Sequence, residues 1–299
     1  MTPDEFTIQE TFLEVGDGHT LYVHDWGNKA AKTPILFLHG GPGGGCNDGH
    51  KGYFNPKKHR VIFFDQRGAG KSTPTGTLSH NTTADLINDI DTIRNHFGFD
   101  SIILMGRSWG STLALTYAIT YPSVVHAIIT GGVMLGSHAE QTILERTNIS
   151  ELFYPDVVDP LGLSSDQAME LWHKAASEDA NESKKACYTL SQLLVATLRL
   201  DDRTKPLDFE TFDHSGLRVE AHYKINNWFL EDDFILRNAS KLTMPVWIIQ
   251  GRYDMACLPK FAHAIHSVLP SSKLIWTQAG HSGSDRENWL ATKTILEQL

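Results

Sequence analysis

The sequence predicts an α/β protein built on a mostly parallel sheet flanked by helices. Three observations carry the prediction: short apolar, β-branched runs without polar alternation, amphipathic helical patterns between them, and a central stretch where the strand-like runs give out. A run that is apolar at successive positions suits a strand buried on both faces, the condition of strands in a parallel sheet. Strand alternating with helix then selects the class.

Taken in order, Thr11–Val15 and Thr20–Trp26, joined through Gly-Asp-Gly, read as an antiparallel hairpin at the sheet edge. Ile35–Leu38, Val61–Phe64, Ile102–Met105, Ala127–Thr130, Val246–Ile249 and Leu274–Trp276 are the core strand candidates. Thr82–Phe97 spaces Leu86, Ile90, Ile93 and Phe97 at helical intervals, with threonine available as N-cap and Gly98 at the expected stop. Thr112–Tyr121 is a second helical pattern. Between residues 136 and 240 helical stretches such as Gln167–Glu178 and Lys184–Leu200 dominate. The expected organisation is a discontinuous α/β domain, residues 1–135 and 241–299, interrupted by an all-helical cap at 136–240.

At 299 residues, with 41% hydrophobic and 10% aromatic content, the chain can bury one large core and an accessory lobe. Disordered, collagen-like and disulfide-stapled classes are excluded. The balance of 26 Lys+Arg against 35 Asp+Glu gives a net charge of −9, so nucleic acid and anionic membrane are not expected partners. Cys46, Cys187 and Cys257 are odd in number and far apart, which predicts a reducing, cytoplasmic setting. The first residues carry acids and no apolar run, and no eighteen consecutive apolar residues occur, so neither a secretory signal nor a membrane span is expected.

The sharpest motif is Gly106-Arg-Ser108-Trp-Gly110, set between the apolar run Ile102–Met105 and the helical pattern Thr112–Tyr121. A serine on so tight a strand-to-helix turn needs small neighbours to keep its hydroxyl exposed. A serine nucleophile also needs a base, and the base needs an orienting acid. Asp254, just past Val246–Ile249, and His281, in a glycine-flanked loop past Leu274–Trp276, supply both in the order Ser, Asp, His. Asp285 and Asp232 are rival acids; the former is too local to His281 and the latter lies in the helical stretch. The oxyanion of acyl transfer needs preorganised N–H donors. His39-Gly40-Gly41-Pro42-Gly43-Gly44-Gly45 follows a strand, and the amides of Gly41 and Trp109 are the expected pair.

Asp65-Gln-Arg-Gly-Ala-Gly70-Lys71-Ser72 imitates a phosphate-binding loop but has Asp65 where that motif requires glycine. No zinc spacing occurs, and His263 with His266 reads as helix surface.

These motifs together resemble the prolyl aminopeptidase (proline iminopeptidase) family of α/β-hydrolases. The resemblance rests on His39–Gly45, Asp65–Ser72, Gly106–Ser111, Gly251-Arg-Tyr-Asp254 and Gly280-His-Ser282, spanning the α/β domain. It implies an α/β-hydrolase fold with an inserted helical cap, no cofactor, and release of an N-terminal residue, preferentially proline, from small peptides. It also implies cap acids that hold the substrate's free ammonium, a charge-assisted contact. Arg218-Val-Glu220-Ala-His-Tyr223 matches one such segment, placing the acid on Glu220, whereas the second falls on neutral Gln192. An arginine usual in the family falls near Gly131. These departures motivate the alternative of an ester, lactone or amide substrate lacking a free amine. Cap aromatics Trp228 and Phe229 are candidates for pocket wall or core. A catalytically silent ligand receptor would need a broken triad or blocked oxyanion loop, and neither is visible in the sequence.

Overall fold

The computed structural model describes residues 5–140, 153–158, 165–198 and 207–299. Eight strands form one sheet: β1 (Thr7–Gly16), β2 (His19–Gly27), β3 (Ile35–Leu38), β4 (Arg60–Phe64), β5 (Ile102–Ser108), β6 (Val125–Val133), β7 (Val246–Gly251) and β8 (Ser272–Thr277). Their spatial order is β1-β2-β4-β3-β5-β6-β7-β8. The first two strands pair antiparallel and β2 runs antiparallel to β4, while all remaining neighbours are parallel. The expected hairpin and core strands are therefore all present, several of them longer than the apolar runs that announced them. β5 gains Gly106 to Ser108 and β6 gains Gly131 to Val133 because the two strands go on pairing past the runs Ile102–Met105 and Ala127–Thr130.

The described helices are α1 (Thr83–His96), α2 (Trp109–Thr120), α3 (Pro155–Val158), α4 (Ser165–Ala175), α5 (Ala180–Leu198), α6 (Ser215–Ile225), α7 (Phe234–Arg237), α8 (Pro259–Val268) and α9 (Arg286–Gln298). Thr82 caps α1 as its sequence suggests: its hydroxyl accepts from Asp85 N, and Asp85 Oδ2 accepts from Thr82 N at 2.9 Å. From β3 to β7 the strands are buried on both faces as predicted and divide the core in two, whereas β8, expected to be alike, is the half-buried edge strand. Leu36, Leu38, Ile62, Leu104 and Ile128 pack with α1 and α2 on one side; Phe37, Val61, Phe63, Ile103 and Ile129 pack with the α9 residues Ile295 and Leu296 on the other.

The expected cap range, 136–240, includes residues 141–152, 159–164 and 199–206, which lie outside the described residues. Its described part does not behave as one body. Trp172, Ala175, Ala186, Cys187, Leu190 and Ala221 form a small core of their own. Val219, Tyr223, Trp228, Ile235 and Ala239 belong instead to the main core beside α2. Helix α6 thus faces both ways, with Ala221 in the small core and Val219 and Tyr223 in the large one. Among the described residues, no helix is long and apolar enough to cross a membrane.

Candidate active site

Strand β5 ends at Ser108 and helix α2 begins at the next residue, so the turn between them has no spare residue. Ser108 takes φ +55° and ψ −130° to make it. A left-handed non-glycine residue costs on the order of 1–3 kcal/mol, a strain typical of sites where geometry serves function. The flanking glycines are required by contact. A Cβ on Gly106 would lie 2.2 Å from Gly110 O, and one on Gly110 would lie 2.1 Å from Leu38 O. Trp109 opens the helix, so its amide lacks an i−4 carbonyl partner and sits at the positive end of the helix dipole.

The glycine loop after β3 passes directly beside this serine. A Cβ on Gly40 would stand 3.4 Å from Ser108 Cβ and 3.9 Å from its Oγ. Gly41 takes φ +114°, and a Cβ there would meet the amides of Gly43 and Gly44 at 2.7 Å. His39 pins the loop. Its Nε2 accepts from Gln66 N at 3.0 Å, and its Nδ1 lies 2.8 Å from Gly40 O and 3.2 Å from Gly45 N, so the ring ties both ends of the loop to the strand after it. Burial lowers the His39 pKa, which favours a neutral ring. The Gln66 side chain then joins both parts of the expected oxyanion pair: its Nε2 donates to His39 O, and its Oε1 accepts from Trp109 Nε1, each at 3.0 Å. Sequence reasoning assigned Gln66 no role, because nothing in its spacing reveals a link between two loops.

Asp254 and His281 meet at the ends of β7 and β8. His281 Nδ1 lies 3.0 Å from both carboxylate oxygens, and Asp254 is 2% exposed. Every other partner of that carboxylate is also a donor: Cys257 N at 2.7 Å, Ala256 N at 3.1 Å and Gln250 Nε2 at 3.1 Å. Gln250 in turn accepts from Val133 N at 3.0 Å, fixing the acid to β6. The next neighbour is Gly132, where a Cβ would crowd the His281 ring at 3.1 Å and Asp254 Oδ2 at 3.2 Å. With Nδ1 committed to Asp254, Nε2 is the nitrogen with a lone pair to offer. Ser108 Oγ makes its side-chain contact with Cys257 Sγ at 4.0 Å rather than with His281. Unliganded sites often close the nucleophile–base contact only around substrate. Burial pushes the Cys257 thiol well above its ordinary pKa, so the group beside the serine is a neutral S–H. The rival acids are employed elsewhere: Asp285 Oδ2 accepts from Gly280 N at 2.7 Å and Asp232 Oδ1 accepts from His138 N at 2.8 Å.

The loop that imitates a phosphate cradle holds a carboxylate instead. Asp65 Oδ1 accepts from Cys46 N at 2.6 Å and Oδ2 accepts from Lys71 N at 2.8 Å. A Cβ on Gly70 would lie 2.2 Å from Oδ2, so the glycine makes room for the chain's own acid. Lys71 turns outward over the Tyr22 ring, 4.2 Å from its centroid. Among the described residues no cluster of His, Cys, Asp and Glu could hold a metal ion, and His263 is exposed on α8.

Helix α6 brings Glu220 toward the glycine loop. A Cβ on Gly43 would lie 2.4 Å from Gly216 O, so the first turn of α6 rests on that loop backbone to backbone. Glu220, four residues on, shares the helix face of Gly216 one turn farther along. It is half-buried, and burial pushes its carboxyl up to about 7 against the opposing charge of Lys224. Gln192 lies half-buried on α5, its amide 3.5 Å from Tyr188 O. Among the described residues no hydrogen bond joins Gln192 to Glu220, or either to Ser108, Asp254 or His281. Trp228 is core, with its ring 5.9 Å from that of Trp109, and Tyr223 meets Trp109 edge-on at 5.0 Å. Asn227, Trp228 and Phe229 all have positive φ, and Thr83 Oγ1 donates to Trp228 O.

Comparison with known proteins places this geometry. The family model described as alpha/beta hydrolase fold matches residues 33–285. A probable proline iminopeptidase of Leptolyngbya boryana is 39% identical over 92% of this chain and 88% of its own. The proline iminopeptidase of Xanthomonas citri is 35% identical over 96% of this chain and 95% of its own. Among solved structures, an esterase from Exiguobacterium antarcticum superposes with a TM-score of 0.67 over 97% of this chain and 99% of its own; at 22% identity it attests the fold alone. The extent and level of the sequence matches show that the chain belongs to the proline iminopeptidase family of α/β-hydrolases.

Proposed function

We propose that this protein is a serine aminopeptidase that releases the N-terminal residue, preferentially proline, from small peptides. The observation that carries the reading is the His281 Nδ1 contact with both Asp254 oxygens at 3.0 Å, beside a serine held at positive φ. Ser108 Oγ attacks the scissile carbonyl while His281 Nε2 takes its proton; the imidazolium, stabilised by Asp254, then returns the proton to the leaving amine. The Gly41 and Trp109 amides bear the oxyanion, and water admitted to the same base releases the acyl group, with no cofactor. Glu220 supplies the charge that faces the substrate's ammonium, and Gln192 contributes an uncharged acceptor. A bound ammonium favours the ionised Glu220 carboxylate, which burial alone disfavours. The α/β part, 1–135 and 241–299, carries the chemistry and the insertion at 136–240 the selection. The free thiols of Cys46, Cys187 and Cys257 suit a cytoplasmic setting.

Hydrolysis of proline arylamide, measured beside an aryl ester and an N-acylated proline arylamide, tests the reading. The expected result is turnover of the free-amine arylamide, strong loss on N-acylation, and no turnover by Ser108→Ala. Turnover of the ester alone, indifferent to amine blocking, would replace it with an esterase.

A further inference from the structure

Arg107, the residue between Gly106 and Ser108, points away from the elbow and toward the loop that carries His281. Its Nη2 donates to the backbone carbonyl of His281 at 3.1 Å. Among the described residues no carboxylate pairs with this guanidinium, and its Nη1, though buried, has no hydrogen-bond partner. A buried guanidinium nitrogen left without a partner is unfavourable in the resting fold. Ion pairing therefore does not explain its presence here.

The surroundings are cut to its shape. A Cβ on Gly131 would lie 2.2 Å from Arg107 Nη1 and 2.9 Å from its Cζ. A Cβ on Gly283 would lie 2.3 Å from Tyr53 Oη, 2.9 Å from Arg107 Cδ and 3.0 Å from its Nε. Gly131 on β6 thus leaves the space the guanidinium fills, and Gly283 in the His281 loop leaves room for the Arg107 stem together with the Tyr53 hydroxyl. Asn288 Nδ2 donates to the carbonyls of Gly280 and Ser282 at 3.1 and 2.8 Å, so the carbonyls on either side of His281 are already held by α9. The central carbonyl alone is tied to the serine strand.

We infer that Arg107 is a positioning residue that sets the distance between His281 and Ser108, with Gly131 and Gly283 as the clearance it requires. One covalent step separates Arg107 from the serine, and one hydrogen bond separates it from the histidine backbone. The elbow and the base are therefore coupled through a single side chain, independently of Asp254. The inference rests on the Ser108, His281 and Asp254 assignment proposed above.

The test uses the whole protein and begins by showing that a fluorophosphonate labels wild type and not Ser108→Ala; failure there removes the assignment itself. Arg107→Met, similar in length without the donors, is then compared with Arg107→Lys. The expected result is about a tenfold fall in kcat and in the fluorophosphonate labelling rate for Arg107→Met, with KM within twofold and melting temperature little changed, and partial recovery in Arg107→Lys. If Arg107→Met is too unstable to assay, Arg107→Gln, which is shorter and uncharged, is expected to show the same split. A well-folded Arg107→Met with wild-type kcat and labelling rate overturns the inference. So does a loss confined to KM or to stability.

Discussion

Gly216 and Gly43 meet backbone to backbone: a Cβ on Gly216 would stand 2.6 Å from Gly43 O. Neither residue is in the α/β strands, yet their contact decides how near the Glu220 helix comes to the glycine loop. Gly216→Ala must open this contact. Overpacking costs roughly 1–3 kcal/mol, and the better helix propensity of alanine returns up to about 1 kcal/mol, so the protein is expected to remain folded. Displacing the loop is expected to lower kcat/KM for proline arylamide about tenfold or more, read by steady-state kinetics. Wild-type kinetics would show that the loop does not need α6 against it.

Gln66→Leu keeps the backbone amide that binds His39 but removes both side-chain bonds to His39 O and Trp109 Nε1. A buried indole N–H left unpaired costs about 1–3 kcal/mol. Urea unfolding is expected to show that loss, and kcat is expected to fall because the glycine loop and Trp109, whose amides are the proposed oxyanion donors, are no longer joined by one side chain. Gln66→Glu, which keeps the acceptor for Trp109 and loses the donor to His39 O, separates the two bonds.

Asp254→Asn exchanges an acceptor met only by donors for an amide that is itself partly a donor. The His281 ring is then no longer held with its proton on Nδ1. A fall of kcat by roughly 1,000- to 10,000-fold is expected, with the fold retained, from the established cost of a wrong histidine tautomer in such triads. A loss below tenfold would move the orienting role to another acid.

Glu140 follows β6 with its carboxylate buried, and Oε2 accepts from Leu135 N at 2.9 Å and Gly136 N at 3.0 Å. Burial pushes its pKa from 4.5 up to about 7. The folded state therefore holds this proton where the unfolded state has released it, and stability falls as pH rises from about 4.5 through 7, by up to about 3 kcal/mol. In Glu140→Gln that slope is expected to flatten. Urea unfolding at pH 5 and pH 8 checks it: equal slopes in variant and wild type would show that the carboxylate titrates normally.

The strands were legible because parallel strands buried on both faces advertise themselves as unbroken apolar runs, and β3 to β7 follow that rule; β8 carries an apolar run too but lies half-buried at the sheet edge. The serine turn was legible for a related reason, since only glycine fits at 106 and 110 when a strand and a helix close on each other. Gln66, Gln250, Cys257 and Arg107 were not legible. Each acts through a partner distant in sequence, and a lone glutamine, cysteine or arginine carries no periodicity to announce it.

The sequence by itself determined the fold class, the placement of Ser108, Asp254 and His281 just past successive strand runs, and the glycines that local backbone geometry demands. These depend on periodicity and on steric limits within a few residues. Tertiary structure decided the rest: that Asp65 fills its own amide cradle, that Trp228 is core, that α6 belongs to two cores, and that Arg107 spans from elbow to base. Those outcomes depend on which distant segments share a volume, and packing is a property of the whole chain.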